Sequence, residues 1–173
     1  SRTFYQINSV QAEKLYRRAV EWAQLTKEDE VLDAYCGVGL IGQLAAGSAG
    51  HVTGVEIVKP SVECARASAR VNRIENIDFI CADAPKALEN GKIKPTVVMV
   101  DPPRAGCSGK FLHSLLKLAP ARIVYVSCNP ETLSRDLFAL RKGGYKVKRI
   151  QPVDMFPFTE HTESLVSLTR QTD

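Results

Sequence analysis

The chain has 173 residues, 45% of them hydrophobic and 24% charged, and a net charge of +4. That balance suits one globular domain with a single core; no apolar run is long enough to span a bilayer and no signal peptide is visible. The 5 cysteines (Cys36, Cys64, Cys81, Cys107, Cys128) are odd in number and form no CxxC pair. This argues against disulfide or zinc frameworks and for a reducing cytoplasm, with no metal site expected. The slight positive charge permits an anionic partner without demanding one.

Ser1-Arg2-Thr3 has no initiator Met, and Phe4-Tyr5-Gln6 reads as structured chain, so the sequence is read as a piece of a longer protein. Asn8 or Ser9 can cap a first helix running to about Leu25. Val31 to Tyr35 reads as a buried strand, followed by the turn Cys36-Gly37-Val38-Gly39 and a helix through Ala46. His51 to Glu56 is the second strand, and Pro60 opens a helix to about Asn72. Ile77 to Cys81 is the third strand, and Pro85 starts a short helix. Thr96 to Val100 is the fourth strand, followed by a helix from Gly109 to Leu118. Arg122 to Val126 is the fifth, and the helix Glu131 to Lys142 is stopped by Gly143-Gly144. Tyr145 to Val153 and Ser164 to Arg170 are the last two strands.

Five strands alternating with helices predict an α/β fold with a doubly wound, mostly parallel, seven-stranded sheet. Only Asp154 to Glu163 separates the last two strands, with no crossover helix, so they should pair antiparallel. A parallel sheet with one antiparallel strand at the end is the Rossmann-like arrangement typical of S-adenosylmethionine-dependent methyltransferases, an analogy of fold alone.

Gly37-Val38-Gly39-Leu40-Ile41-Gly42 follows a strand, opens a helix and matches G-x-G-x-x-G, with Glu56 ending the next strand. Taken alone, this fits a dinucleotide site or a tight structural turn. The acids decide between ligands. Asp33 lies inside the strand end before the glycines, where a pyrophosphate would be repelled and a cationic amino-sulfonium ligand stabilised. Glu56, Asp83 and Asp101 end the next strands, suited to a ribose, an adenine and more positive charge. The pattern favours S-adenosylmethionine over NAD.

Cys128 ends the apolar run Arg122-Ile-Val-Tyr-Val-Ser127 and precedes Asn129-Pro130, the edge where open α/β sheets keep their chemistry. It reads as a nucleophile, whereas Cys64 and Cys81 read as buried structural thiols. A free thiol with a pKa of about 8.5 is mostly protonated at neutral pH, so it needs help from the helix beginning near Pro130 or from Arg104 or Arg135. Glu163 is a possible base, in competition with Glu160 and His161. Asp101-Pro102-Pro103 also occurs in amino-group methyltransferases, but there an aromatic usually follows to stack on a planar target, and here Arg104 follows. Arg141, Lys142, Lys146, Lys148 and Arg149 read as a solvated face able to hold phosphates.

These segments together resemble the RNA uracil-C5 methyltransferase family, which makes 5-methyluridine in tRNA or large-subunit rRNA, over nearly the whole chain. Phe4-Tyr5-Gln6-Ile7-Asn8 with Gln11 is similar to the family's entry to its catalytic domain. Leu32-Asp33-Ala34-Tyr35-Cys36-Gly37-Val38-Gly39 is similar to its cofactor loop. Asp101-Pro102-Pro103-Arg104-Ala105-Gly106, Val126-Ser127-Cys128-Asn129-Pro130 and Met155-Phe156-Pro157 with His161-Thr162-Glu163 are similar to its three catalytic signatures. RNA cytosine-C5 methyltransferases usually carry a further cysteine where Pro103 stands.

The resemblance implies that residues 1–173 are a methyltransferase catalytic domain using S-adenosylmethionine on RNA, with Cys128 as nucleophile and Glu163 as base. It places Gln6, Tyr35, Glu56, Asp83 and Asp101 at the cofactor, beside Asp33, Gly37 and Gly39 to which the residue pattern itself points, and leaves Arg104 and Asn129 as candidates for contact with the substrate. Phe158 stands where many members have His. Members usually also carry an N-terminal RNA-binding β-barrel and a central domain, sometimes with an iron–sulfur cluster; without them, weak turnover is expected. The residue types suit the chemistry. Uracil C5 is a poor nucleophile until a thiolate adds at C6, and a base must afterwards take the C5 proton so that the thiol can leave. An amino-group methyltransferase and a non-enzymatic binding module remain the alternatives, with an NAD dehydrogenase more distant. A cytoplasmic monomer, away from membranes, is expected.

Overall fold

The computed structural model describes residues 9–89, 91–155 and 162–171. The elements in order are α1 (Ser9–Ala23), β1 (Glu30–Ala34), α2 (Leu40–Ala46), β2 (His51–Glu56), α3 (Lys59–Val71), β3 (Ile77–Cys81) and α4 (Ala84–Glu89). They continue with β4 (Val97–Val100), α5 (Gly109–Leu118), β5 (Arg122–Ser127), α6 (Pro130–Lys142), β6 (Tyr145–Asp154) and β7 (Thr162–Arg170). Boundaries follow the sequence reading within a few residues. The first helix stops earlier than expected, because Gln24 takes a left-handed φ of 49°.

The seven strands lie in the order β3-β2-β1-β4-β5-β7-β6. β1 to β5 are parallel, and β7 runs antiparallel to both β5 and β6. The expected antiparallel strand is present, but it is inserted one place in from the sheet edge rather than at its end.

The core splits by strand alternation into two layers. Val31, Val52, Met99 and Val124 face α1, α2 and α3, with Leu15, Ala19 and Ala45 packed on them. Leu32, Val98, Ile123 and Tyr125 face the other helices, with Phe111, Leu115 and Leu140. Strands buried on both faces need apolar residues at successive positions, hence Val97-Val98-Met99-Val100, all buried. β6 is the exposed edge; Lys146, Lys148 and Arg149 and a register shift between Val147 and Arg149 guard it against further strand pairing.

Cys64 and Cys81, expected to be buried, are exposed, and the buried thiol is Cys107. The inward stripe of α3 is Ser61, Val62, Ala65 and Ala69, so Cys64 falls outside it. Cys81 ends the edge strand β3, whose burial alternates. Among the described residues, no helix is long and apolar enough to cross a membrane.

Candidate active site

The carboxyl ends of β1, β2, β4 and β5 converge because these strands run parallel. At the first, Asp33 is fully buried. Its Oδ2 accepts the Gly42 N–H at 2.8 Å, while Oδ1 has no partner among the described residues. Burial raises its pKa to about 7; the Gly42 bond opposes this and the charge of Glu56 adds to it. Tyr35 turns the chain with φ 62°, and its ring rests on Phe111 with centroids 5.2 Å apart.

The glycines of the loop differ in purpose. A Cβ on Gly39 would lie 2.6 Å from the Phe79 ring, and one on Gly42 would lie 2.8 Å from Asp33 Oδ2. A Cβ on Gly37, at φ +55°, would meet nothing within 4 Å. Gly39 and Gly42 therefore serve internal packing, and Gly37 borders open space. Glu56 ties this loop to the end of β2: Oε2 accepts from Gly37 N–H at 3.0 Å and Oε1 from Val58 N–H at 2.8 Å. Gln43 adds a side-chain bond to the Val38 carbonyl at 3.3 Å. Asp83 lies just past β3, and its carbonyl accepts the Ala87 N–H at the start of α4.

Asp101 follows β4. The Tyr16 hydroxyl of α1 donates to its Oδ2 at 3.3 Å. Burial, then the charges of Glu163 and Asp33, raise the Asp101 pKa to about 7. The Ser127 hydroxyl shapes the turn at Cys128, accepting from the Asn129 N–H at 3.1 Å and donating to the Asn129 carbonyl at 3.0 Å. Asn129 then caps α6: its Oδ1 accepts from Glu131 N–H at 3.0 Å, and its Nδ2 donates to the Arg104 carbonyl at 3.2 Å. Both ends of that amide are thus engaged.

Sheet register explains the remaining juxtaposition. β7 pairs with β5 so that Ser127 faces Ser164. The paired residues end there; Cys128 follows Ser127 and Glu163 precedes Ser164, and the charge of Glu163 acts on the thiol. Glu163 is buried, and burial raises its pKa. The Cys128 thiol is half-buried and also raised, first by burial and then by the charges of Glu163 and Asp101, while Arg104 pulls it the other way. Arg135, the other expected helper, is turned elsewhere: it pairs with Asp136 and donates to the Ala105 and Cys107 carbonyls. Gln6, Phe156, Pro157, Phe158, Glu160 and His161 lie outside the described residues.

The sequence model described as tRNA (uracil-5-)-methyltransferase matches residues 1–171. The chain belongs to this family. Among curated relatives, an uncharacterized RNA methyltransferase of Enterococcus faecalis V583 is 48% identical, over 100% of this chain and 38% of its own length. Another, from Staphylococcus aureus N315, is 51% identical over 94% of this chain and 36% of its own length. Among solved structures, the Pyrococcus abyssi tRNA (uracil-54, C5)-methyltransferase in complex with S-adenosyl-L-homocysteine superposes with a TM-score of 0.82. It is 35% identical over 96% of this chain and 40% of its own. The chain therefore spans well under half the length of these relatives. Within this uracil-5-methyltransferase domain, sequence reasoning missed Tyr16, Gln43 and Asp136. Tyr16 and Gln43 carry no sequence signal. Asp136 does, because it sits on the inward stripe of α6 with Leu133 and Leu140, where an acid is out of place.

Proposed function

We propose that this domain methylates C5 of a uridine in RNA. The observation that carries the reading is that Cys128, next after the Ser127–Ser164 pair, lies under the charges of Glu163 and Asp101 at the carboxyl edge of the sheet in a member of this family. The cofactor of the reading is S-adenosylmethionine. The residues present fit it: among the described residues Asp33 keeps a buried oxygen without a donor and Gly37 faces open space. Asp33 and Asp101 would favour its cationic groups, Glu56 and Asp83 its ribose and adenine, and Tyr35 and Gly37 its approach to the backbone; Gln6 is assigned to it by sequence resemblance. Bound there, it supplies an electrophilic methyl group.

The protein's own groups do the rest. The partly exposed thiol of Cys128 gives its proton to solvent and Sγ adds to uracil C6, moving the C5–C6 electron pair onto the C4 oxygen as an enolate. C5 then takes the methyl group. The Glu163 carboxylate removes the C5 proton, the C5–C6 double bond re-forms and the thiolate leaves. Arg104 favours the thiolate and can steady the negative charge on the ring. Since paired bases hide C5 and C6, the uridine must be unpaired or flipped out.

A short 5-fluorouridine oligonucleotide at saturating concentration, with S-adenosylmethionine, tests this. Fluorine cannot leave as a proton, so intact-mass analysis should find a covalent adduct with the protein and none with Cys128→Ala. Glu163→Gln should accumulate the same adduct with ordinary uridine, because elimination is blocked. If cofactor binding is measured by calorimetry and no adduct forms, the reading fails.

A further inference from the structure

The loop that carries Arg104 is held by a device the proposed chemistry does not use. Asp136 of α6 is fully buried, yet it is an acid. Its Oδ2 accepts the Cys107 N–H at 2.7 Å and the Tyr125 hydroxyl at 2.7 Å, and its Oδ1 accepts the Arg135 Nε–H at 2.9 Å. Three segments meet on one carboxylate: the loop after β4, the strand that ends just before Cys128, and the helix that follows it. A buried charge is tolerable only when compensated in this way. The surrounding bonds serve the same end. Thr132 donates to the Arg104 carbonyl at 3.3 Å, as Asn129 does, and Arg135 reaches the Ala105 and Cys107 carbonyls at 3.1 and 3.0 Å. Gly106, at φ +74°, is needed for the fit, since a Cβ there would lie 2.7 Å from Arg135 Nη2 and 2.8 Å from Asp136 Oδ2.

We propose that Asp136, with Tyr125, is a positioning residue that clamps the loop 103–107 onto α6 and β5, and so holds Arg104 within electrostatic reach of Cys128. This rests on the reading of Cys128 as the nucleophile. A bridge that only stabilised the fold could join any two elements. This one joins the segment bearing the cation to the two segments flanking the thiol, and the backbone carbonyl of Arg104 itself is tied to the first turns of α6. Among the described residues, the charged groups acting on Cys128 are Glu163 and Asp101 on one side and Arg104 on the other, so displacing Arg104 removes the described charge that favours the thiolate.

The test needs no RNA. Iodoacetamide alkylation of Cys128 is followed by peptide mass spectrometry across pH, with the exposed Cys64 and Cys81 as internal controls. In Arg104→Ala the Cys128 rate at neutral pH should drop about threefold and its pH profile should move upward, as expected on losing one partly screened cation. Asp136→Asn should reproduce that shift, and the double variant should be no slower than Arg104→Ala alone. Tyr125→Phe, which removes a single donor, should move the profile in the same direction by less. A folded Asp136→Asn whose Cys128 profile superimposes on the wild type, or whose effect adds in full to that of Arg104→Ala, overturns the proposal. If Asp136→Asn does not fold, Tyr125→Phe decides, and an unchanged profile overturns it. Failure of the fluorouridine trap with this cycle intact counts against the uracil chemistry only; a working trap with a flat cycle counts against the clamp only.

Discussion

Asp29 and Asp33 stand at opposite ends of one strand and have opposite fates. Asp29, just before β1, is buried but saturated. The Thr26 N–H and hydroxyl donate to one oxygen at 2.8 and 3.1 Å, and the Thr96 hydroxyl donates to the other at 2.7 Å, where Arg122 also pairs. Burial pushes its pKa up, but the Thr96, Thr26 and Arg122 interactions together hold it below the ordinary carboxylate value. Asp33, at the carboxyl end, has one donor and an orphan oxygen among the described residues, and its pKa rises to about 7. The amino edge of the sheet spends its charge on holding strands together. The carboxyl edge keeps charge in reserve, which is the signature of a ligand-binding edge.

The two edges predict opposite pH behaviour. Asp29 stabilises the fold above its unfolded pKa, and that stability is lost as pH falls through its lower folded value. Asp33 does the reverse: with its folded pKa raised to about 7, stability declines as pH climbs from about 4 to about 7 and then levels off. The largest effect should come from Asp29→Ala. Among the described residues it leaves Arg122 only the Gln24 carbonyl as partner, and it should cost about 3 kcal/mol in urea unfolding while leaving S-adenosylmethionine affinity unchanged.

Asp33→Asn should do the opposite. At about pH 8 it should raise unfolding free energy by about 2 kcal/mol and flatten the decline above about pH 4, yet weaken cofactor binding about tenfold by calorimetry. A loss of stability there would mean that the Asp33 charge is compensated after all, and the contrast between the edges would collapse. The smallest effect separates the glycines. Gly37→Ala should cost about 1 kcal/mol for its left-handed backbone and show chiefly as weaker cofactor binding. Gly39→Ala, which collides with Phe79, should show chiefly as a lower Tm.

Much of this was legible in the sequence. Strand and helix positions follow from apolar runs and from Pro and Gly punctuation, which are local signals. The burial of Asp33 ahead of the glycines was also readable, since it sits inside an apolar strand. The fates of the cysteines were not. Cys64 and Cys81 look like core residues by composition, but burial depends on which face of α3 and which edge of the sheet they occupy. Arg135 looked like a cation for the thiol, and only packing shows its guanidinium committed to Asp136 and to loop carbonyls.

By itself, the sequence determined the alternating α/β order, the glycine loop with its acids, and a cysteine at a strand end, because short-range periodicity and turn chemistry encode such features. Tertiary structure decided three things. It inserted β7 between β5 and β6, which brings Glu163 and Cys128 to the same end of the paired strands β5 and β7. It gave Asp29 donors and left Asp33 an oxygen without one. It gathered Tyr125, Cys107 and Arg135 around Asp136. Each joins residues distant in the chain, and strand register and the solvation of a buried charge are set by neighbours that only the folded chain brings near.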